Sequence, residues 1–462
     1  QFKTIDADKY ETEDGKIKKL LKIFNANQDM LTDSNKWQII ESVISFYRND
    51  FLKTIGMLCS FIAADKYFDG KLSERLTLLL REKNFSVDEK NSIIRILKKY
   101  YKKTKSVKYK NIFLNEIEIL QNKVILKSKP RAIMASLTTK CNLKCVMCNV
   151  IDHKTDKIRE IETKFYDFVV ANMPYLEEVV WQGGEVFLYD KFNYLSELAY
   201  KHNVKQKIIT NALLLNEDLI NKINKYKVNL QVSVDAVDKK TYEEIRVGAK
   251  FENLLKKIEL LKNHRNKRNT AIYSIETVVI SKNFQQLEDL VKFAIFYKFE
   301  LISFLKYIVY EKNDLQLSRE QTAEVANTII ALRKKYQNIS IKTNIDLDYG
   351  CKYNDKNILI SNNNLMKYKK NEIFKKETQE QKCNDLFCIS PWTRIYLDFK
   401  QYIRITCLSN QINVKKYKYD EIWNCSEMVE YRKKIVNNDL SNCNALCRGC
   451  GEYTERAKIG LF

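Results

Sequence analysis

The chain has 462 residues, 45% hydrophobic and 30% charged, a composition that excludes collagen-like, mucin-like and wholly disordered proteins. Lys plus Arg number 80 against 58 Asp plus Glu, a net charge of +22, which admits a nucleic-acid or acidic partner. Only 16 of the 80 cations are Arg, however, and a Lys-, Asn- and Ile-rich bias accounts for the charge as well, so nucleic acid is not the favoured partner.

There are 12 Cys and 3 His. So little histidine disfavours His-based metal sites and His-activated nucleophiles, and so many cysteines suggest a metal centre before disulfides. No apolar run reaches the roughly 20 residues that span a bilayer. The polar segment from Gln1 to Lys19 has no signal-peptide pattern. A cytoplasmic protein without a membrane partner is expected.

Residues 1–35 are polar and patternless. From Lys36 to about Lys110 apolar residues recur at helical spacing, and Ser86 with Glu89 has the form of a capping box. An all-α module over 1–124 is expected, with Cys59 a buried hydrophobe inside it. The basic, Tyr-containing run from Lys98 to Lys110 reads as a solvated helix end, with nucleic-acid contact as the alternative.

From Arg131 short β-branched runs alternate with helical stretches. Strands are expected at Ile133–Leu137, Glu178–Trp181, Lys207–Thr210, Asn229–Val234, Ala271–Val279 and Leu301–Leu305, with helices such as Ala212–Lys225 and Phe251–Asn263 between them. Six β-α units imply an α/β domain over 125–360 with a parallel sheet, a partial TIM-like barrel whose functional residues gather at the strands' C-terminal ends. Residues 361–462 read as a polar linker followed by a small α+β, cysteine-rich domain with strands at Arg394–Phe399 and Tyr402–Thr406.

Just after the first strand, Cys141, Cys145 and Cys148 form Cys-x3-Cys-x2-Cys. A structural zinc would need a fourth ligand from elsewhere; three thiolates on a [4Fe–4S] cubane leave one iron open. Gly183-Gly184-Glu185 closes the second expected strand about 40 residues later, where paired glycines permit close backbone approach.

Together these motifs resemble the radical S-adenosylmethionine (SAM) superfamily, over about residues 125–455. The resemblance implies a [4Fe–4S] cluster whose open iron binds SAM, and reductive SAM cleavage to a 5′-deoxyadenosyl radical that abstracts a substrate hydrogen. It places Met147 against adenine and Gly183, Gly184 and Glu185 at the SAM ammonium. Thr210-Asn211 closes the third strand within the cofactor site. Ser233 and Asp235 would lie near the ribose, and Arg246 would pair with the SAM carboxylate, a planar task that suits guanidinium.

Eight cysteines lie in the tail. Cys388, Cys407, Cys447 and Cys450 resemble the ligands of an auxiliary-cluster domain, SPASM in its longer form and twitch in its shorter one; the full SPASM spacing is absent, which favours the shorter. Cys383 and Cys443 are alternative ligands, Cys351 and Cys425 bystanders, and a zinc ribbon on the same four thiols remains open. At least one auxiliary [4Fe–4S] cluster is thus implied. The expected activity is radical SAM modification of a peptide, with sugar or other small-molecule oxidation and RNA modification as alternatives, fed by an electron donor such as flavodoxin or ferredoxin. No general acid or base can be selected among the many carboxylates.

Overall fold

The structure is a computed structural model that describes residues 50–64, 70–81, 85–150, 157–265, 271–307, 313–345, 389–399, 402–405, 411–437 and 439. The helical pattern over 36–49, the polar stretch 361–382 and tail cysteines 351, 383, 388, 407, 443, 447 and 450 lie outside the described residues.

Among the described residues four helices come first: Phe51–Ala64, Lys71–Leu79, Val87–Lys103 and Val107–Leu120. The third opens on the capping box: the Glu89 N–H donates to Ser86 Oγ (3.2 Å), and the Ser86 N–H donates to the Glu89 carboxylate (2.9 Å). Asp88 and Glu89 occupy its first turn, Lys102 and Lys103 its last, as the helix dipole favours. Ile55, Leu58, Leu76, Ile93, Leu97 and Phe113 share one core, with Cys59 buried there as a free thiol.

The helical pattern does not stop near Lys110; it turns a corner and runs on to Leu120. Lys98 and Lys99 are exposed, but Lys108 is buried and donates to the His202 and Asn203 carbonyls at 2.9 and 2.8 Å. Polar Asn111, Asn115, Glu116 and Glu118 disguise this last helix in the sequence, yet all four are buried and hydrogen-bonded.

One sheet contains β1 (Ala132–Ser136), β2 (Glu178–Gln182), β3 (Lys205–Thr210), β4 (Asn229–Ser233), β5 (Tyr273–Val279), β6 (Leu301–Lys306) and β7 (Ser340–Thr343), with β8 (Arg394–Leu397), β9 (Tyr402–Arg404) and β10 (Ile412–Asn413). Its order is β10-β9-β8-β1-β2-β3-β4-β5-β6-β7. Strands β1 to β7 are parallel, β8 pairs parallel with β1, and β9 and β10 return antiparallel. The sheet is open, as a partial barrel requires, with β7 and β10 at its edges.

Alternate residues point to opposite sheet faces. Ile133, Val179, Trp181, Ile208, Leu230, Ile275, Ile302 and Ile395 join one core with Phe165, Leu195, Ile220, Leu254, Leu290 and Ile329 of the flanking helices. The opposite face carries the polar positions of the sheet, among apolar Met134, Val180, Ile209 and Leu305. By register it presents Ser136 and Gln182, Lys207, Gln231 and Ser233, Glu276, and Ser303.

A buried polar clasp joins the helices, the sheet and the tail. Arg131 pairs with Glu116 (2.6 Å) and Glu177, and Arg81 also reaches Glu116 (2.7 Å). Trp392 and Trp423 indoles donate to the Lys123 and Ser128 carbonyls (2.6 and 2.9 Å). Arg432 donates to the carbonyls of Val124, Pro391 and Trp423.

Candidate cluster and SAM site

The exits of β1 and β2 are stitched backbone to backbone. The Leu137, Gly184 and Glu185 N–H groups donate to the carbonyls of Gln182, Thr138 and Lys140 at 2.9, 2.6 and 2.9 Å. This contact explains the glycine pair. A Cβ on Gly184 would stand 2.4 Å from the Lys140 carbonyl oxygen, and one on Gly183 (φ 146°) 2.4 Å from that of Thr138. Only glycine lets the two segments lie this close.

Beyond the stitch the chain enters the cysteine loop. Cys141, Cys145 and Cys148 are partly buried free thiols. The Lys144 and Val146 N–H groups donate to the Val247 and Ile245 carbonyls (2.8 and 2.9 Å), strapping the loop to the segment after β4. Met147 is buried with Ile245 and Ile280.

Two neighbours reach the sulfurs. Arg246 Nη1 lies 3.8 Å from Cys145 Sγ, and Asn211 Nδ2 lies 3.9 Å from Cys141 Sγ and 2.9 Å from Asn142 Oδ1. Arg246 also pairs with Asp235 at 2.6 Å. Burial opposes its charge, but Asp235 and Cys145 outweigh that and keep it cationic. Burial raises the Cys141 thiol to about 11 and raises Cys145 as well; bound iron draws such thiols to thiolate.

Among the described residues no three His, Cys, Asp or Glu side chains are gathered tightly enough for a single metal ion; a multi-iron cluster spaces its thiolates more widely. The donor set, three thiols with N–H donors aimed at their sulfurs, fits an iron–sulfur cluster.

Glu185 is fully buried and accepts from Thr210 Oγ1 (2.8 Å) and the Asn211 N–H (3.0 Å). Burial pushes it up to about 7 despite these bonds. It ties the exits of β2 and β3. Asp235 likewise ties β4 to β5, accepting from the Val278 N–H at 2.8 Å. Ser233 ends β4 beside Glu276 and joins none of these bonds.

Sequence reasoning misses three participants. Asn142 bridges Asn211 to the loop. Tyr242 is buried beneath Arg246 with its hydroxyl unpaired, and burial raises it to about 12. Glu276, on the polar sheet face, is raised by burial, with Lys207 pulling it down and Asp235 and Arg246 nearby. Tyr242 opens the Tyr-Glu-x-Ile-Arg run that ends in Arg246 and resembles a radical SAM helix, whereas no local spacing marks Asn142 or Glu276.

Residues 135–294, 160 of the chain's 462, match the model of the Radical SAM superfamily. The uncharacterized protein MJ0907 of Methanocaldococcus jannaschii is 27% identical over 183 residues, 37% of this chain and 61% of its own. The antilisterial bacteriocin subtilosin biosynthesis protein AlbA of Bacillus subtilis is 22% identical over 208 residues, 39% of this chain and 44% of its own. The chain thus spans about half the length of these curated relatives. The crystal structure of Streptococcus suis SuiB bound to SAM matches 89% of this chain and 87% of its own at 15% identity, with a TM-score of 0.51. SuiB bound to precursor peptide SuiA matches 84% and 87% at 16% identity and 0.52. The likeness to SuiB is one of fold. No helix among the described residues is long and apolar enough to cross a membrane.

Proposed function

We propose that this chain is a radical SAM enzyme that modifies a peptide by oxidation, cross-linking or epimerisation. The observation that carries the catalytic reading is the loop of three free thiols at the exit of β1, held between Arg246 and Asn211. When bound there, a [4Fe–4S] cluster and SAM supply a 5′-deoxyadenosyl radical that takes a hydrogen from the substrate.

The chain's own residues do the rest. Cys141, Cys145 and Cys148 hold the cluster, and Arg246 and Asn211 donate toward its sulfurs. Met147, Gly183, Gly184, Glu185, Thr210, Asn211, Ser233, Asp235 and Arg246 enclose SAM. Substrate would lie on the sheet face that carries Glu276, and in an oxidative outcome Glu276 would take the proton of the substrate radical while its electron passes to the auxiliary cluster. The chain divides into a helical module (1–124), the partial barrel (125–360) and an auxiliary-cluster domain (361–462) with Cys388, Cys407, Cys447 and Cys450 as ligands and Cys383 and Cys443 as alternates. It works in the cytoplasm, reduced by a flavodoxin or ferredoxin. The peptide reading is supported by AlbA's role in bacteriocin biosynthesis and by SuiB's complex with a precursor peptide.

Anaerobic reconstitution followed by reaction with SAM and dithionite tests this. About eight irons per chain and release of 5′-deoxyadenosine are expected; filled clusters without release refute the catalysis, and about four irons refute the auxiliary cluster. A peptide encoded beside the gene should change mass in the same reaction, and an unchanged mass refutes that substrate.

A further inference from the structure

A groove of about 600 Å³ runs between the cysteine loop and the helix Phe251–Asn263. One wall carries Lys250, Asn253, Lys256 and Lys257, and Asn142 and Gly248 line it as well. Asn253, Lys256 and Lys257 share one helix face by their spacing, while Leu254, Ile258 and Leu261 face the core. Lys250 reaches Glu243 at 3.3 Å; Lys256 and Lys257 make no ion pair among the described residues.

Asn142 directly follows Cys141, so the groove opens on the backbone of the cluster-ligand loop. Gly248, with φ 94°, packs against that loop: its added Cβ would meet the Asn142 carbonyl oxygen at 3.6 Å and Leu143 at 3.7 Å. On the same loop and its strap, Val146 and Val247 are 38% and 44% exposed. The site therefore joins a row of lysines to the covalent neighbourhood of Cys141, with Val146 and Val247 part-exposed on the same loop and its strap.

We infer that this groove docks an acidic, low-potential one-electron carrier protein, an inference that rests on the radical SAM reading above. The charge complements an acidic carrier, and complementary charge steers encounter and fixes orientation. A small polar contact suits a carrier that must leave after each transfer, as redox encounters do. The cysteine loop then receives the electron from a carrier seated beside Asn142, the neighbour of Cys141. Nucleic acid fits poorly, since no aromatic side chain lines the groove for base stacking.

The test uses the full chain with its clusters reconstituted and an acidic flavodoxin as probe. Calorimetry at rising ionic strength and stopped-flow bleaching of the cluster by reduced flavodoxin are measured for wild type, for the double variant Lys256→Glu/Lys257→Glu, and for Lys98→Glu/Lys99→Glu as a control on the distant basic run. The groove variant should weaken binding and slow cluster reduction by about tenfold or more and flatten the salt dependence. Its 5′-deoxyadenosine release with dithionite should match wild type, and the control should behave as wild type with flavodoxin. Absence of a wild-type complex, unchanged flavodoxin kinetics in the groove variant, or a larger loss in the control overturns the docking surface. Absence of dithionite-driven release from wild type overturns the catalytic reading, and the docking inference with it.

Discussion

Gly184 stands where two backbones meet, so its substitution is a steric question. In Gly184→Ala the new Cβ meets the Lys140 carbonyl at 2.4 Å, and backbone rather than a side chain has to yield. A loss of about 1–3 kcal/mol is expected in thermal unfolding, with reduced iron uptake because the displaced segment leads directly into Cys141. Glu276 poses a chemical question. Glu276→Gln preserves its size and should retain SAM-dependent 5′-deoxyadenosine release while product formation falls by about tenfold or more; equal loss of both would assign Glu276 to SAM binding. The cysteine run, the glycine pair and Thr210-Asn211 are readable in the sequence because they are local. The partners of Arg246 are not: Asp235 and Cys145 meet it only through the fold, and a buried ion pair looks the same in sequence as two surface charges.

The helices and strands show what kinds of signal a sequence carries. Ser86 and Glu89 lie three residues apart and cap the Val87–Lys103 helix as their spacing predicts; Ser86→Ala should lower stability by about 1 kcal/mol in denaturant unfolding. Strands β1 to β6 are legible from their apolar runs. Strand β7 is not, because Ser340–Thr343 contains one apolar residue, Ile341, and gains its place by pairing with β6. The two tail strands β8 and β9 are legible as strands, but not the pairing of β8 with β1, which joins segments more than 250 residues apart. The helix Val107–Leu120 escapes because it is buried nearly all round, with polar Asn111, Asn115, Glu116 and Glu118 interrupting the apolar Ile112, Phe113, Ile117 and Ile119. Glu116 shows why that arrangement is stable: burial would push its carboxyl up, but Arg81 and Arg131 outweigh burial and hold it well below the ordinary 4.5. Its contribution is therefore complete above about pH 4.5 and is lost as pH falls through the lowered value. Differential scanning calorimetry should show Glu116→Gln far less stable than wild type at pH 7 and the gap narrowing toward pH 3. Arg131→Met leaves Glu177 without its ion-pair partner and Glu116 with Arg81 alone, and should cost about 3–5 kcal/mol.

At the scale of the whole molecule, the segment between the helices and β1 is held from both sides. Lys123, Val124, Leu126 and Ser128 give backbone groups to Trp392, Arg432, Asn424 and Trp423, and Arg131 closes onto the helices. A linker between independent units would be a preferred site of proteolysis; here limited trypsin digestion should spare Lys123 and Lys127 until global unfolding. Calorimetry should correspondingly give one transition for the helices and barrel, where a flexibly joined pair would give two.

The same clasp constrains what can be built from this protein. Related catalytic cores are attractive parts for exchange, with a new front end grafted on to change what is recognised. A cut at residue 124 would leave Arg131 and Glu177 facing a foreign surface and strip the Trp392 indole of its acceptor on Lys123. Chimeras that keep the native stretch from Lys71 through Arg131, with the Thr77 and Arg81 partners of Glu116, and replace only what precedes it are the ones expected to fold, so retargeting starts at the outermost helix and leaves the seam intact.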